Sequence, residues 1–129
     1  MPTTSLTQTK TYAPEQIVRL LQRYRFDLST EKHLQADIED AFRAEGIEFE
    51  REKRLSDSDI LDFFVRGGVV VECKMRNKAR KIEIFKQISR YAEHEDVTAI
   101  ILASNVAMGL PSAISGKPVF AASLSRGWI

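Results

Sequence analysis

The segment from Ile60 to Lys74 constrains the fold more than any other part of the chain. It reads I-L-D-F-F-V-R-G-G-V-V-V-E-C-K. Two short apolar runs, rich in β-branched and aromatic residues, flank Gly67-Gly68, the pattern of two strands joined by a tight hairpin turn. Each run also carries charge where a buried strand tolerates none unless it binds something. Asp62 sits between Leu61 and Phe63, and Glu72 and Lys74 close the run that begins Val69-Val70-Val71. Side chains alternate along a strand, so Glu72 and Lys74 share a face and Cys73 takes the other. Counting back from the glycine turn brings Asp62 near Glu72 across the hairpin.

The rest of the chain supplies elements to cover such a hairpin. Residues 1–13 read as a loose leader and 14–129 as a single domain. Pro14 and Glu15 open a helix with Ile17, Leu20, Leu21 and Tyr24 on one face. Asp27–Thr30 interrupts it, and Ser29 or Thr30 caps a second helix over Glu31–Glu45. Its buried stripe is Leu34, Ile38, Ala41 and Phe42, and Gly46 ends it. The period then changes to two, with Ile47, Phe49 and Arg51 alternating with Glu48 and Glu50, which predicts a strand. Ser56–Ser58 is a turn before the Asp62 strand. A third helix is expected over Lys78–Glu95, with Ile82, Phe85, Ile88 and Ser89 inward. Val97–Ala103 is a buried strand, residues 104–117 are expected to hold one short helical turn, and Val119–Leu124 is the last strand. The order ααβββαβ(α)β predicts an α/β fold, a mixed central β-sheet flanked by helices.

Bulk properties exclude several classes. With 129 residues, 43% of them hydrophobic and 29% charged, the chain has the size and composition of one soluble globular domain. No apolar run approaches the roughly 20 residues that span a bilayer, so no membrane partner is expected. The polar start Met1–Lys10 predicts no secretory signal. The lone Cys73 rules out an internal disulfide, and a reducing, cytoplasmic location is the expectation. Charge is uneven: residues 1–73 carry an acidic excess and residues 74–129 a basic one, concentrated in Lys74, Arg76, Lys78, Arg80 and Lys81, then Lys86 and Arg90. A basic cluster beside an acidic half suits a phosphate-binding edge next to a cation site.

Asp62, Glu72 and Lys74 form the set that phosphodiester hydrolysis requires. Carboxylate oxygens hold a hard divalent cation such as Mg²⁺, for which Mn²⁺ can substitute. The cation activates a water, and a neighbouring lysine orients that water or offsets developing charge. The backbone carbonyl of Cys73, between the two side chains, is a further candidate ligand. His33 and His94 are too scattered for a zinc site and are expected on the surface. Asp57 and Asp59 read as turn formers, with Asp59 the reserve candidate if the register slips.

Asp62…Glu72-Cys73-Lys74 resembles the D…E-x-K core of the PD-(D/E)XK nuclease superfamily. The helix that follows carries Gln87-Ile-Ser-Arg-Tyr91, similar to the Q-x3-Y motif of the RecB-like and lambda-exonuclease-like branch. The resemblance spans roughly residues 30–104, and Leu61 stands where a proline often precedes the aspartate. It implies a restriction-endonuclease-like core and an Mg²⁺-dependent DNA nuclease in end-processing, recombination or repair, either exonuclease or endonuclease. It also implies a helical glutamate at the metal. The pattern Glu31-Lys-His-Leu34-Gln35 favours Glu31, with Glu39 the alternative. Gln87 and Tyr91, four apart on one helical face, would look toward the active site, Gln87 on a water or carboxylate and Tyr91 on the DNA backbone. Arg76, Lys78, Arg80, Lys81 and Arg90 are the candidate DNA contacts. With so little chain outside the core, a clamp around DNA is expected to come from self-association. The competing class is a nucleic-acid-binding or protein-inhibiting module that kept the nuclease fold without turnover.

Overall fold

The computed structural model describes residues 11–75, 81–105 and 109–126, with Ser125 and Arg126 by their backbone. Helix α1 spans Pro14–Arg23, strand β1 Arg25–Phe26 and helix α2 Glu31–Ala44. Strands β2 (Phe49–Arg54), β3 (Ile60–Val65) and β4 (Val69–Lys74) follow, then helix α3 (Lys81–Ala92) and strand β5 (Ala99–Ser104). Three further strands are β6 (Ala113–Ile114), β7 (Lys117–Ser123) and β8 (Ser125–Arg126). The fold is α/β: a mixed six-stranded sheet ordered β2-β3-β4-β5-β7-β6, flanked by helices, with a small parallel ribbon of β1 and β8. Strands β2, β3 and β4 run antiparallel, β4, β5 and β7 parallel, and β6 returns antiparallel to β7.

Two apolar layers hold the helices to the sheet. On one side Ile17 and Leu21 of α1 and Leu34, Ile38 and Phe42 of α2 pack with Phe63, Val65, Val71, Cys73 and Ile101. On the other, Ile88, Tyr91 and Ala92 of α3 pack with Leu61, Val70, Ile100 and Val119. Each fully buried Leu, Ile or Phe contributes roughly 1.5–3 kcal/mol. Helix α2 starts where Thr30, in extended conformation, accepts the His33 amide on Oγ1 at 3.0 Å. Tyr12 is buried, and its hydroxyl donates to the Gly46 carbonyl at 3.3 Å, so packed chain begins before Pro14. Among the described residues no helix is long and apolar enough to cross a membrane.

The β3–β4 turn fixes the site. Gly68 donates its amide to the Val65 carbonyl at 3.0 Å with φ at +91°, and a Cβ there would lie 2.5 Å from the Asp96 carbonyl oxygen. Only glycine meets both demands. The turn sets the register Val65↔Val69, Phe64↔Val70 and Phe63↔Val71, so the next residues to face each other are Asp62 and Glu72.

Two expectations need adjusting. Of the segment 104–117, foreseen to hold one short helical turn, residues 106–108 lie outside the described residues and the described remainder holds no helical turn. There β6 and β7 form a hairpin whose two turn residues, Ser115 and Gly116, both have positive φ, the type I′ form of a two-residue turn. The inward face of α3 is Ile84, Ile88, Tyr91 and Ala92, while Ile82 is 54% and Phe85 36% exposed. Ile82 and Phe85 lie to one side, where with Lys81, Gly109, Leu110 and Pro111 they line a shallow apolar groove.

Candidate active site

The regular ladder stops at Asp62 and Glu72, and side chains replace main chain there. The Asp62 amide donates to Glu72 Oε1 at 3.1 Å, and the Cys73 amide donates to Asp62 Oδ2 at 2.8 Å. Each carboxylate is thus held by the backbone of the other's strand. Opposite, the β2–β3 ladder passes from Arg51–Phe63 to Lys53–Leu61 without pairing Glu52 with Asp62. Glu52 has φ of 50°. The strand turns over at this point: residues two apart normally share a face, yet Phe63 packs in the α1/α2 core and Leu61 in the α3 core.

A third carboxylate arrives from α2. Glu31 Oε2 accepts the Met75 amide at 3.1 Å, just beyond the end of β4. Glu39, the alternative, is engaged elsewhere: it pairs with Arg43 and, at 2.7 Å, with Arg51. The Arg43 hydrogen bond, ahead of the Arg51 contact, holds its carboxyl below the usual range. Among the described residues no group of three or more His, Cys, Asp or Glu side chains is gathered around one point as a ready-made metal site. The arrangement is a close pair with Glu31 beside it.

Burial dominates the electrostatics. It pushes the Glu72 carboxyl up to about 8, and the Asp62 charge adds to the rise. Burial also raises Asp62, assisted by the Glu31 charge and opposed by the Cys73 hydrogen bond and the charges of Lys74 and Arg51. Lys74 is half-buried on the Glu72 face and makes no hydrogen bond or ion pair among the described residues. Tyr91 is buried on α3, its hydroxyl 3.4 Å from Glu72 Oε2 and 3.3 Å from the Ile60 carbonyl. Burial first, then the Glu72 charge, pushes its phenol above the usual range. The ring therefore backs Glu72 from within the core and is not exposed at the surface, where a contact to a nucleic-acid backbone was expected. Gln87, one turn earlier, is half-buried and has no hydrogen-bond partner among the described residues. The Cys73 side chain faces the opposite core, where burial drives its thiol well up.

The basic candidates separate. Arg90 is half exposed and donates Nε to Asp59 Oδ1 at 3.1 Å. Lys81 borders the apolar groove described above. Arg76, Lys78 and Arg80 lie outside the described residues. Asp59 does form the turn, its carbonyl accepting the Leu55 amide at 2.8 Å, but its carboxylate is buried between Arg90 and His94. His94, expected at the surface, is half-buried, with Nε2 3.3 Å from Asp59 Oδ2. Sequence reasoning missed this latch and also missed Arg51. A signal for Arg51 was present: the β2 alternation turns a guanidinium inward, and an inward charge needs acceptors. No protein-family model, curated protein or solved structure matches the chain.

Proposed function

We propose that this chain is a divalent-metal-dependent DNA nuclease with a restriction-endonuclease-like core, centred on Asp62, Glu72 and Lys74. One observation carries the reading: a buried glutamate and a half-buried aspartate, from adjacent strands of a hairpin, meet where the ladder opens, each held by an amide of the other's strand and each with its carboxyl pKa raised. Burying a carboxylate without a paired countercharge is costly, and Lys74, whose charge both carboxyls feel, forms an ion pair with neither. An oxygen-only donor set of this kind fits a hard cation. Asp62, Glu72 and the Cys73 carbonyl would hold it, with Glu31 at the mouth of α2 completing the oxygen set.

When bound, Mg²⁺ or Mn²⁺ supplies a more acidic water and neutralises charge on the phosphate. The chain's own groups do the rest. Lys74 offsets charge on the phosphate oxygens and orients the attacking water. Tyr91 fixes the Glu72 carboxylate from behind. Gln87 presents its amide to a water or a phosphate oxygen. The basic segment that follows β4 draws neighbouring phosphates past the site. The Q-x3-Y likeness favours end-processing or recombination substrates.

The test is cleavage of linear, nicked, branched and single-stranded DNA in chelator, Mg²⁺ and Mn²⁺, with Asp62→Asn as control. Cleavage that requires the metal and disappears in Asp62→Asn is expected. DNA binding without cleavage would assign the fold to a binding module, and neither activity would remove the reading.

A further inference from the structure

Asp62 is held by its main chain as well as by its carboxylate. Where Glu52 leaves the ladder, the Asp62 carbonyl loses its strand partner, and Arg51 takes the place of that partner, donating from Nε at 3.3 Å. The other two nitrogens of the guanidinium are committed to α2: Nη1 donates to Glu39 Oε1 at 2.7 Å and Nη2 to Gln35 Oε1 at 3.1 Å. The Phe63 ring supports the plane, with the guanidinium carbon 4.8 Å from its centroid. Three nitrogens thus meet three acceptors on two elements, a task suited to a rigid planar fork and unsuited to an ammonium. The same helix brings Glu31 to the Met75 amide.

We infer that Arg51 is a positioning residue for the carboxylate pair: it fixes the Asp62 peptide plane and the spacing of α2 from β3, so that Asp62 meets Cys73 and Glu31 meets the end of β4. The inference rests on reading Asp62 and Glu72 as the metal centre, but its first readout does not. In metal-free protein, loss of the Arg51 hydrogen bond should move the Asp62 carbonyl ¹³C resonance upfield. That shift is expected in Arg51→Met and in Arg51→Lys, and to a smaller extent in Glu39→Ala, which removes the acceptor of one arm of the clamp. Calorimetric Mn²⁺ affinity should fall about 10–100-fold in Arg51→Met, the usual effect of removing a group that orients a ligand, and lysine should not restore it.

An Asp62 resonance that stays in place in folded Arg51→Met overturns the inference. So does wild-type Mn²⁺ affinity in Arg51→Lys, since a bare charge would then suffice. If Arg51→Met does not fold, Glu39→Ala decides: an unmoved resonance there counts against the clamp. Failure of the wild-type protein to bind Mn²⁺ removes the metal-centre reading instead, and leaves the carbonyl resonance to judge Arg51.

Discussion

Glu72 should make the metal-free protein lose stability as pH rises through neutrality. Its carboxyl titrates at about 8 in the folded chain against a reference of 4.5. A raised carboxyl pKa means that the folded state holds a proton the unfolded chain releases. Stability is therefore unaffected below about 4.5, falls as pH climbs from there to about 8, and levels off above. At about 1.4 kcal/mol per unit the full shift would be worth a few kcal/mol. Coupling to Asp62 spreads the effect over the pair, so about 2–4 kcal/mol is expected between pH 5 and 8. The perturbation is Glu72→Gln, which keeps the shape and the acceptor for the Asp62 amide but cannot ionise. Urea unfolding in chelator at pH 5, 6, 7 and 8 should show the variant gaining steadily on the wild type. Adding Mn²⁺ at pH 8 should reverse the order, because the cation binds only the ionised pair. Parallel pH profiles for the two proteins, or a wild type that gains stability over this range, would refute the reasoning.

Lys74→Ala should lower kcat by about 100-fold or more while DNA affinity changes little. Weak binding with normal kcat would reduce Lys74 to a phosphate contact. Glu52→Gly should stabilise the fold by roughly 0.5–1 kcal/mol in thermal unfolding, since glycine adopts the left-handed backbone without the Cβ clash. A loss of stability would mean that the Glu52 side chain matters more than its backbone. Replacing Arg76, Lys78 and Arg80 together by alanine should flatten the dependence of log K on log salt by about 0.7–0.9 for each phosphate the variant no longer neutralises, with metal binding retained. An unchanged slope would put DNA on another face.

The meeting of Asp62 and Glu72 could be read in advance because a glycine turn fixes a strand register and alternation does the rest. The stripes of α1 and α2 were legible for the same kind of reason: their apolar residues occupy one narrow arc. Helix α3 was harder. Apolar residues at 82, 84, 85, 88, 91 and 92 cover so wide an arc that periodicity alone cannot choose its centre, and packing chose 84, 88, 91 and 92. The β6–β7 hairpin was hidden because its strand is two residues long and set among prolines and glycines that read as loop. The turn-over at Glu52 had no signal, since glutamate is an unfavourable residue for positive φ. Its cause is tertiary, in the Arg51 contacts and the paired carboxylates. The two candidate glutamates on α2 separated only when geometry put Glu31 at Met75 and Glu39 at Arg51.

The ribbon of β1 and β8 joins segments near opposite ends of the described chain, Arg25 beside Ser125 and Phe26 beside Arg126. Almost the whole loop between them must be closed before its few hydrogen bonds form, and so short a pairing offers little return on that entropy. The hairpin of β3 and β4, by contrast, closes over the three residues between Val65 and Val69. The carboxylate pair can therefore assemble early in folding, and the ribbon seals last. In the native state the order reverses: amides of the ribbon should exchange with solvent by local opening, long before those around Asp62.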